Sequence, residues 1–377
     1  MMMEPIGYRK ERVQAILHKY GIDVLVASTP ANVFYTSGVP LLHVAPNPIL
    51  YVLYNQFPTM SLVRSDGEEA LAAWIIYQSA RTQSWIKDVM GIASPLAAMK
   101  NIGDKIEQWG LASKVIGIES LMPRYQAEYL QKRFPGAKLV DGDPAFLEMR
   151  IVKTPEEIAR IKKSTEITDK AIQAMIDALA IGMTDNDLLR VARRSIVDQG
   201  AEGWDHLTLG IGASDPEAPG VGTMVSRSDI CRFDVGTVWQ GYVSDISRNA
   251  VIGDVPAGAD EVMDAMIQVQ EFCVDNIKPG ENTKVIGAKI KEFTKTAVKK
   301  GSAYVTVHSI GIECEEAQLL SPMRTADMPF QEGMVFDVEV WQPFKGAGLL
   351  GVEDCYHLTS DGCQRLSGLD KHIFKKK

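Results

Sequence analysis

Apolar positions recur along this chain in two rhythms. In "YRKERVQAILHKY", residues 8–20, they fall at helical spacing, and Gly21 stops the run. The short apolar stretch "VLVAS" follows, and similar stretches appear at "ILYVLY", "VIGIES" and "KLVDGD". Helices alternating with short apolar strands predict an α/β layer domain over residues 1–150. The aromatic, Pro-rich stretch 43–58 reads as a loop, with a lid or an interface as the other reading.

Near residue 150 the pattern changes. "KTPEEIARIKKSTEITDKAIQAMIDAL" predicts a long helix, with Thr154 as N-cap, Pro155 at N1 and Glu157 closing a capping box. Further helices are expected from Thr184 to Gly200, over 258–277 and over 284–299. Strand patterns lie at 230–252, 303–313, 333–341 and 349–359. Residues 151–377 therefore read as helices packed on a mostly antiparallel sheet, and the whole chain as α+β.

Several strands carry acids where alternation calls for a second face. "CRFDVGTVWQGYVSDISR" holds Asp234 and Asp245 inside its strands, and a turn at Trp239–Gly241 puts them nearly opposite one another. In "GMVFDVEVW", Met334, Phe336, Val338 and Val340 share one face while Asp337 and Glu339 point to the other. Glu353 stands opposite Val352 and Tyr356 in "LLGVEDCYHLT", and His308 precedes Gly311 in the next strand. Burying such acids costs several kcal/mol each unless a cation compensates. Pairing with Arg232 or Arg248 is the plain alternative. Carboxylates with one imidazole suit divalent Mn, Co, Fe or Zn, and two such ions about 3.5–4 Å apart lower the pKa of a bridging water.

Composition narrows the classes. The chain has 377 residues, 46% hydrophobic and 23% charged, with a net charge of −8. That is long enough for two cores, and the absence of a basic block argues against nucleic-acid binding. No run approaches the roughly 18 apolar residues of a membrane span. "MMMEPIGYRKERVQ" has no apolar h-region, so no signal peptide is expected. Five scattered cysteines without a CxxC predict reduced thiols and a cytoplasmic setting.

These segments together resemble the pita-bread metallopeptidases: Xaa-Pro dipeptidase, aminopeptidase P, methionine aminopeptidase and creatinase. "YGIDVLVASTPANVFYTSG" is similar to the opening of a creatinase-like N-terminal domain, and "MRIVKTPEEIARIKKSTEITDKA" to the start of a pita-bread catalytic domain. The resemblance implies two divalent ions, Mn or Co before Zn or Fe, held by Asp234, Asp245, His308, Glu339 and Glu353. It implies a metal-bridging hydroxide attacking an amide carbonyl, Glu339 shuttling the proton, and a homodimer. The implied substrate is a Xaa-Pro dipeptide or short peptide. The alternative is a small non-peptide amide, as for creatinase or ectoine hydrolase, with a metal-dependent lyase or a non-catalytic binding protein behind.

Three positions depart from the family pattern. Gly220 stands where a His is usual, Glu315 where a second His is usual, and Gly351 where aminopeptidase P-like members carry Arg. An altered substrate shell follows, with Glu315 positioned to face a cationic group. His206 in "GWDHLTLG" is the candidate replacement donor and Tyr304 a candidate substrate contact, each weighed against a structural or core role. His357 falls too far along its strand, and Arg248 steadies the hairpin acids.

Overall fold

The structure, a computed structural model, describes residues 4–39, 58–74, 83–213, 215–323 and 325–377. The "ILYVLY" strand and most of the loop expected over 43–58 lie outside them. The chain divides into two compact units, Met1–Arg150 and Ile151–Lys377.

Among the described residues of the first unit, helices α1 (Lys10–Tyr20), α2 (Pro30–Ser37), α3 (Pro95–Gln108), α4 (Arg124–Arg133) and α5 (Asp143–Arg150) accompany six strands. The strands are β1 (Val24–Ala27), β2 (Met60–Arg64), β3 (Glu69–Trp74), β4 (Val89–Ile92), β5 (Val115–Ile118) and β6 (Lys138–Asp141), in the sheet order β4-β3-β2-β1-β5-β6. Gly21 ends α1 in the left-handed conformation, as the sequence predicts. Val24, Val26, Leu62 and Ile116 of the sheet pack with Ile102, Ile106 and Leu130 of the helices. Among the described residues of this unit, the carboxylate of Glu119 is buried beside β1. It accepts from Ser28 and Thr29 backbone N–H, both their hydroxyls, and Asn32 Nδ2 at 2.6 Å.

In the second unit, α6 (Pro155–Ala178) opens with the predicted capping box between Thr154 and Glu157. Its Ile161, Thr165, Thr168, Ile172 and Met175 are buried at helical spacing. Helices α7 (Asp185–Asp198), α8 (Ala259–Asn276) and α9 (Thr283–Ala297) follow. The sheet comprises β7 (Gly203–Ile211), β8 (Cys231–Trp239), β9 (Tyr242–Val243), β10 (Ile246–Ile252), β11 (Tyr304–Ser309), β12 (Ala317–Leu320), β13 (Val335–Phe344), β14 (Gly348–Thr359), β15 (Gly362–Arg365) and β16 (Phe374–Lys376). Its main path runs β12-β11-β13-β14-β10-β8-β7 and is antiparallel; β16 joins β10 in parallel. Helix α6 covers β8, and α8 covers β13 and β14. Phe336, Val338, Val340 and Val352 are fully buried, which leaves the opposite face for the acids. Among the described residues, no helix is long and apolar enough to cross a membrane.

Candidate metal centre

Register builds the centre. Thr208, Asp234, Ser247, Glu353, Glu339 and Thr306 are successive cross-strand neighbours on β7, β8, β10, β14, β13 and β11. Two residues along each strand, and therefore on the same face, His206 pairs with Gly236, and Cys355 with Asp337, which pairs with His308. Asp234 and Asp245 are not opposite one another, as the hairpin reading expected. The turn occupies Gln240 and Gly241 alone, so Trp239 pairs with Tyr242 and Asp234 with Ser247. Asp245, just before β10, is diagonal to Asp234. That offset lets one carboxylate join each end of the cluster.

The donors converge in two halves. Asp234, Glu339 and Glu353 each offer an oxygen within 4.8 Å of the others, and Asp245, His308 and Cys314 each offer one atom within the same span. His206, Asp234 and Asp245 connect them. His308 Nε2 lies 3.2 Å from Glu353 Oε1. His206 Nε2 faces Asp245 Oδ1 at 3.1 Å and Asp234 Oδ1 at 3.5 Å, without hydrogen-bond geometry. Gly236 makes that position possible, because a Cβ there would stand 2.5 Å from His206 Cε1.

The plain reading, pairing with an arginine, holds for one of the hairpin acids. Asp234 belongs to the acid cluster and also pairs with Arg232, whose Nη2 lies 2.7 Å from Asp234 Oδ2 and 2.9 Å from Glu339 Oε1. Arg232 also pairs with Glu217. It fills the space over Gly351, where a Cβ would meet Arg232 Nε at 2.8 Å. A guanidinium from β8, reaching across the intervening β10, thus occupies the space over Gly351. Arg248 works on the reverse face, donating to the carbonyls of Ser247 and Glu353 and pairing with Asp354.

Crowding sets the electrostatics. Burial pushes Glu339 up to about 7, with Arg232 opposing and Asp234 adding to the rise. Burial, then Asp245 and Glu339, raises Glu353 well above the usual range. Burial pushes Asp234 upward too, but Arg232 and His206 outweigh it and hold that carboxyl low. Burial disfavours charge on His206, yet Asp245, Asp205 and Asp234 together raise it well above an ordinary imidazole.

The structure brings Asp234, Asp245, His308, Glu339, Glu353 and His206 together. It does not bring Glu315, which is exposed and bonds Gln318 Nε2 at 2.6 Å. The turn before β12 breaks strand alternation, and Glu316 points inward instead, 3.0 Å from Lys153 Nζ. Tyr304 is 40% exposed and stacks on Trp341 at 4.3 Å, one step beyond the acid row. Gly220 has φ +103°, and a Cβ there would stand 2.4 Å from Asn186 Oδ1, so a side chain at this position needs a strained backbone and a displaced Asn186. The sequence reading missed Glu217 and Cys314, which sit in connections where periodicity gives no direction. Arg232 entered it only as the plain partner of an acid.

These residues fit divalent cations. Asp234 Oδ1 and Asp245 Oδ1 are buried oxygens that receive no hydrogen bond, and a hard carboxylate set with imidazole is what such ions take.

Comparison with known proteins agrees. Residues 159–360 match the model of metallopeptidase family M24, and residues 9–152 that of the creatinase/prolidase N-terminal domain. The chain is 24% identical to a Xaa-Pro dipeptidase of Pyrococcus furiosus, over 97% of this chain and 99% of the relative. It is 23% identical to a Xaa-Pro dipeptidase of Lactobacillus helveticus, over 96% and 97%. Among solved structures, the prolidase of Thermococcus sibiricus superposes with a TM-score of 0.83 at 20% identity, covering 100% of both chains. The X-Pro aminopeptidase of Thermotoga maritima gives 0.80 at 22%, covering 97% of this chain and 99% of that one.

Proposed function

The chain belongs to metallopeptidase family M24, metal-dependent hydrolases of the pita-bread fold, and from that premise we propose that it hydrolyses an amide C–N bond of a small substrate with two divalent ions. The observation that carries this reading is the row of Asp234, Glu353 and Glu339 on adjoining strands, with Asp245 and His308 beside it. When bound, such ions supply Lewis acidity and a water of lowered pKa.

The chain's own residues do the rest. Glu339 Oε2 accepts from Thr306 Oγ1 at 2.8 Å and Oε1 from Arg232 at 2.9 Å, which fixes the carboxyl that carries a proton to the leaving amine. Arg232 keeps Asp234 and Glu339 from repelling one another. His206 is placed to donate to charge developing on the substrate carbonyl. The five free thiols support a cytoplasmic setting, and a homodimer follows the family pattern.

The substrate shell in this reading is altered from that of Xaa-Pro dipeptidases. Gly220 carries no donor, Glu315 faces solvent, and Arg232 stands over Gly351. A small non-peptide amide is the substrate class that fits this loss. The test compares kcat/KM for Xaa-Pro dipeptides and small N-substituted or cyclic amides on one metal-loaded preparation. Dipeptide turnover at about 10⁴ M⁻¹s⁻¹ or better would assign an ordinary dipeptidase. Hydrolysis of neither set, by protein carrying two metals, would remove the hydrolase reading.

A further inference from the structure

One half of the centre contains a donor that the metal reading does not use. Cys314 lies in the turn between β11 and β12, half-buried, with Sγ 2.9 Å from Asp245 Oδ2. The turn is tied down on several sides. Val243 N–H donates to Gly311 O at 2.8 Å, Ile312 N–H donates to Glu316 Oε1 at 3.0 Å, and Glu316 is held by the buried Lys153. His308 Nδ1 lies 3.1 Å from the carbonyl of Cys314, which calls for a proton on Nδ1 and turns the Nε2 lone pair into the cluster, 3.2 Å from Glu353 Oε1. Sγ therefore faces the cluster from a fixed backbone.

Two independent groupings include this sulfur. Asp245, His308 and Cys314 each offer one atom within 4.8 Å of the others, and so do Asp205, His206 and Cys314. Asp245, 6% exposed, has Oδ2 at Cys314 and turns Oδ1, which receives no hydrogen bond, toward His206 Nε2 at 3.1 Å, an imidazole that belongs to the second of these groupings. The other half, Asp234, Glu339 and Glu353, is all carboxylate, and Arg232 already places a positive charge on two of its members. The halves thus differ in softness and in existing charge balance. Thiolate and imidazole select Zn, Co or Fe(II) over Mn, which prefers oxygen.

We propose that Cys314 is a metal ligand: with Asp245 and His308 it forms a thiolate-containing site that fills first and takes a thiophilic divalent ion. As the metal–sulfur bond forms, the thiol proton now directed at Asp245 leaves to solvent. The proposal rests on the metal-centre reading and adds a ligand and a loading order to it.

Cobalt titration of the chelator-stripped full chain reads the ligand directly. The expected result is a near-ultraviolet thiolate-to-cobalt charge-transfer band that saturates with the first equivalent. Cys314→Ser should lose the band and bind that first ion about 10–100-fold more weakly, the range typical of losing a group that supports a metal. Should that variant misfold, alkylation footprinting of wild-type Cys314 gives the same information: one equivalent of zinc should protect it. Cobalt that binds without a thiolate band, a band unchanged in Cys314→Ser, or labelling unchanged by zinc would overturn the proposal while leaving the hydrolase reading standing. No cobalt bound at all would overturn both.

Discussion

Glu119 and Asp245 are both buried carboxylates, 3% and 6% exposed, and they sit in opposite circumstances. Glu119 receives hydrogen bonds from two backbone N–H groups, two hydroxyls and an amide. Asp245 has one oxygen against the weak thiol donor of Cys314, another that faces His206 Nε2 at 3.1 Å but receives no hydrogen bond, and several acids around it. A buried charge must be compensated. In the first unit the protein supplies the whole compensation itself, so Glu119 ties β1 and the start of α2 together and asks for nothing further. In the second unit the sheet concentrates carboxylates faster than it supplies donors, and the deficit is what a cation would fill. Burial alone does not distinguish structural acids from functional ones; the count of donors does.

The largest expected effect breaks the comparison on the functional side. Asp245→Asn and Glu339→Gln keep shape and remove charge. Each should cost turnover at least the roughly 10²–10³-fold that losing one transition-state donor costs, with circular dichroism and the unfolding midpoint close to wild type. Either variant with near-wild-type turnover would take that residue out of the centre.

Glu119→Ala tests the other side. It strands the donors of Ser28, Thr29 and Asn32, and a buried group left unpaired costs about 1–3 kcal/mol. Chemical denaturation should register that loss, while metal stoichiometry stays unchanged. A stable Glu119→Ala protein that no longer binds metal would erase the distinction between the two kinds of buried acid.

A third test uses pH. Glu339 is pushed up to about 7 by burial, against about 4.3 in an unfolded chain. A raised carboxyl contributes stability that is full below its unfolded pKa and is lost as pH rises to the folded one. His206, raised well above the ordinary imidazole, acts in the same direction at higher pH. Asp234 is held low by Arg232, so its contribution is present above about pH 3.9 and lost only in stronger acid. The unfolding midpoint of stripped protein should therefore fall by a few degrees between about pH 4.3 and 8. Glu339→Gln should flatten the slope. Saturating metal should reverse it, because the ligands must be ionised to bind. A slope of equal size in Glu339→Gln would assign the effect to other groups.

How much of this was legible in the sequence follows from what periodicity encodes. Alternation in "GMVFDVEVW" separates Val338 and Val340 from Asp337 and Glu339, and the structure buries the first pair on the core side. The same logic fails in turns. Glu315 was expected to face the centre, but the connection to β12 directs it outward and Glu316 inward. Register is likewise hidden. That Arg232 of β8 would cover Gly351 of β14, across the intervening β10, depends on pairings that no local pattern specifies. Cys314 enters the centre only because Val243 and Glu316 hold its turn, and neither contact has a sequence signature.

The smallest expected effect sharpens the comparison most. If identity of residues alone made a site, Gly220→His would return to this chain the imidazole that related peptidases carry, and Xaa-Pro turnover would rise. The backbone argues otherwise. Gly220 sits at φ +103°, a conformation costly for any L side chain, and its Cβ would fall on Asn186. The N–H groups of the next two residues, Val221 and Gly222, are bound to the buried carboxylate of Asp185 at 2.9 and 2.8 Å, so the segment resists moving aside. Here again a buried acid is saturated by its own donors, and it fixes a loop as Glu119 fixes a helix start. Gly220→His should therefore change kcat/KM on a Xaa-Pro dipeptide by less than about tenfold, short of the roughly 10²–10³ that a working donor supplies. It should also lower the unfolding midpoint. A rise of a hundredfold, with stability kept, would mean the loop at 220 yields readily, and that the missing imidazole alone separates this site from an ordinary dipeptidase.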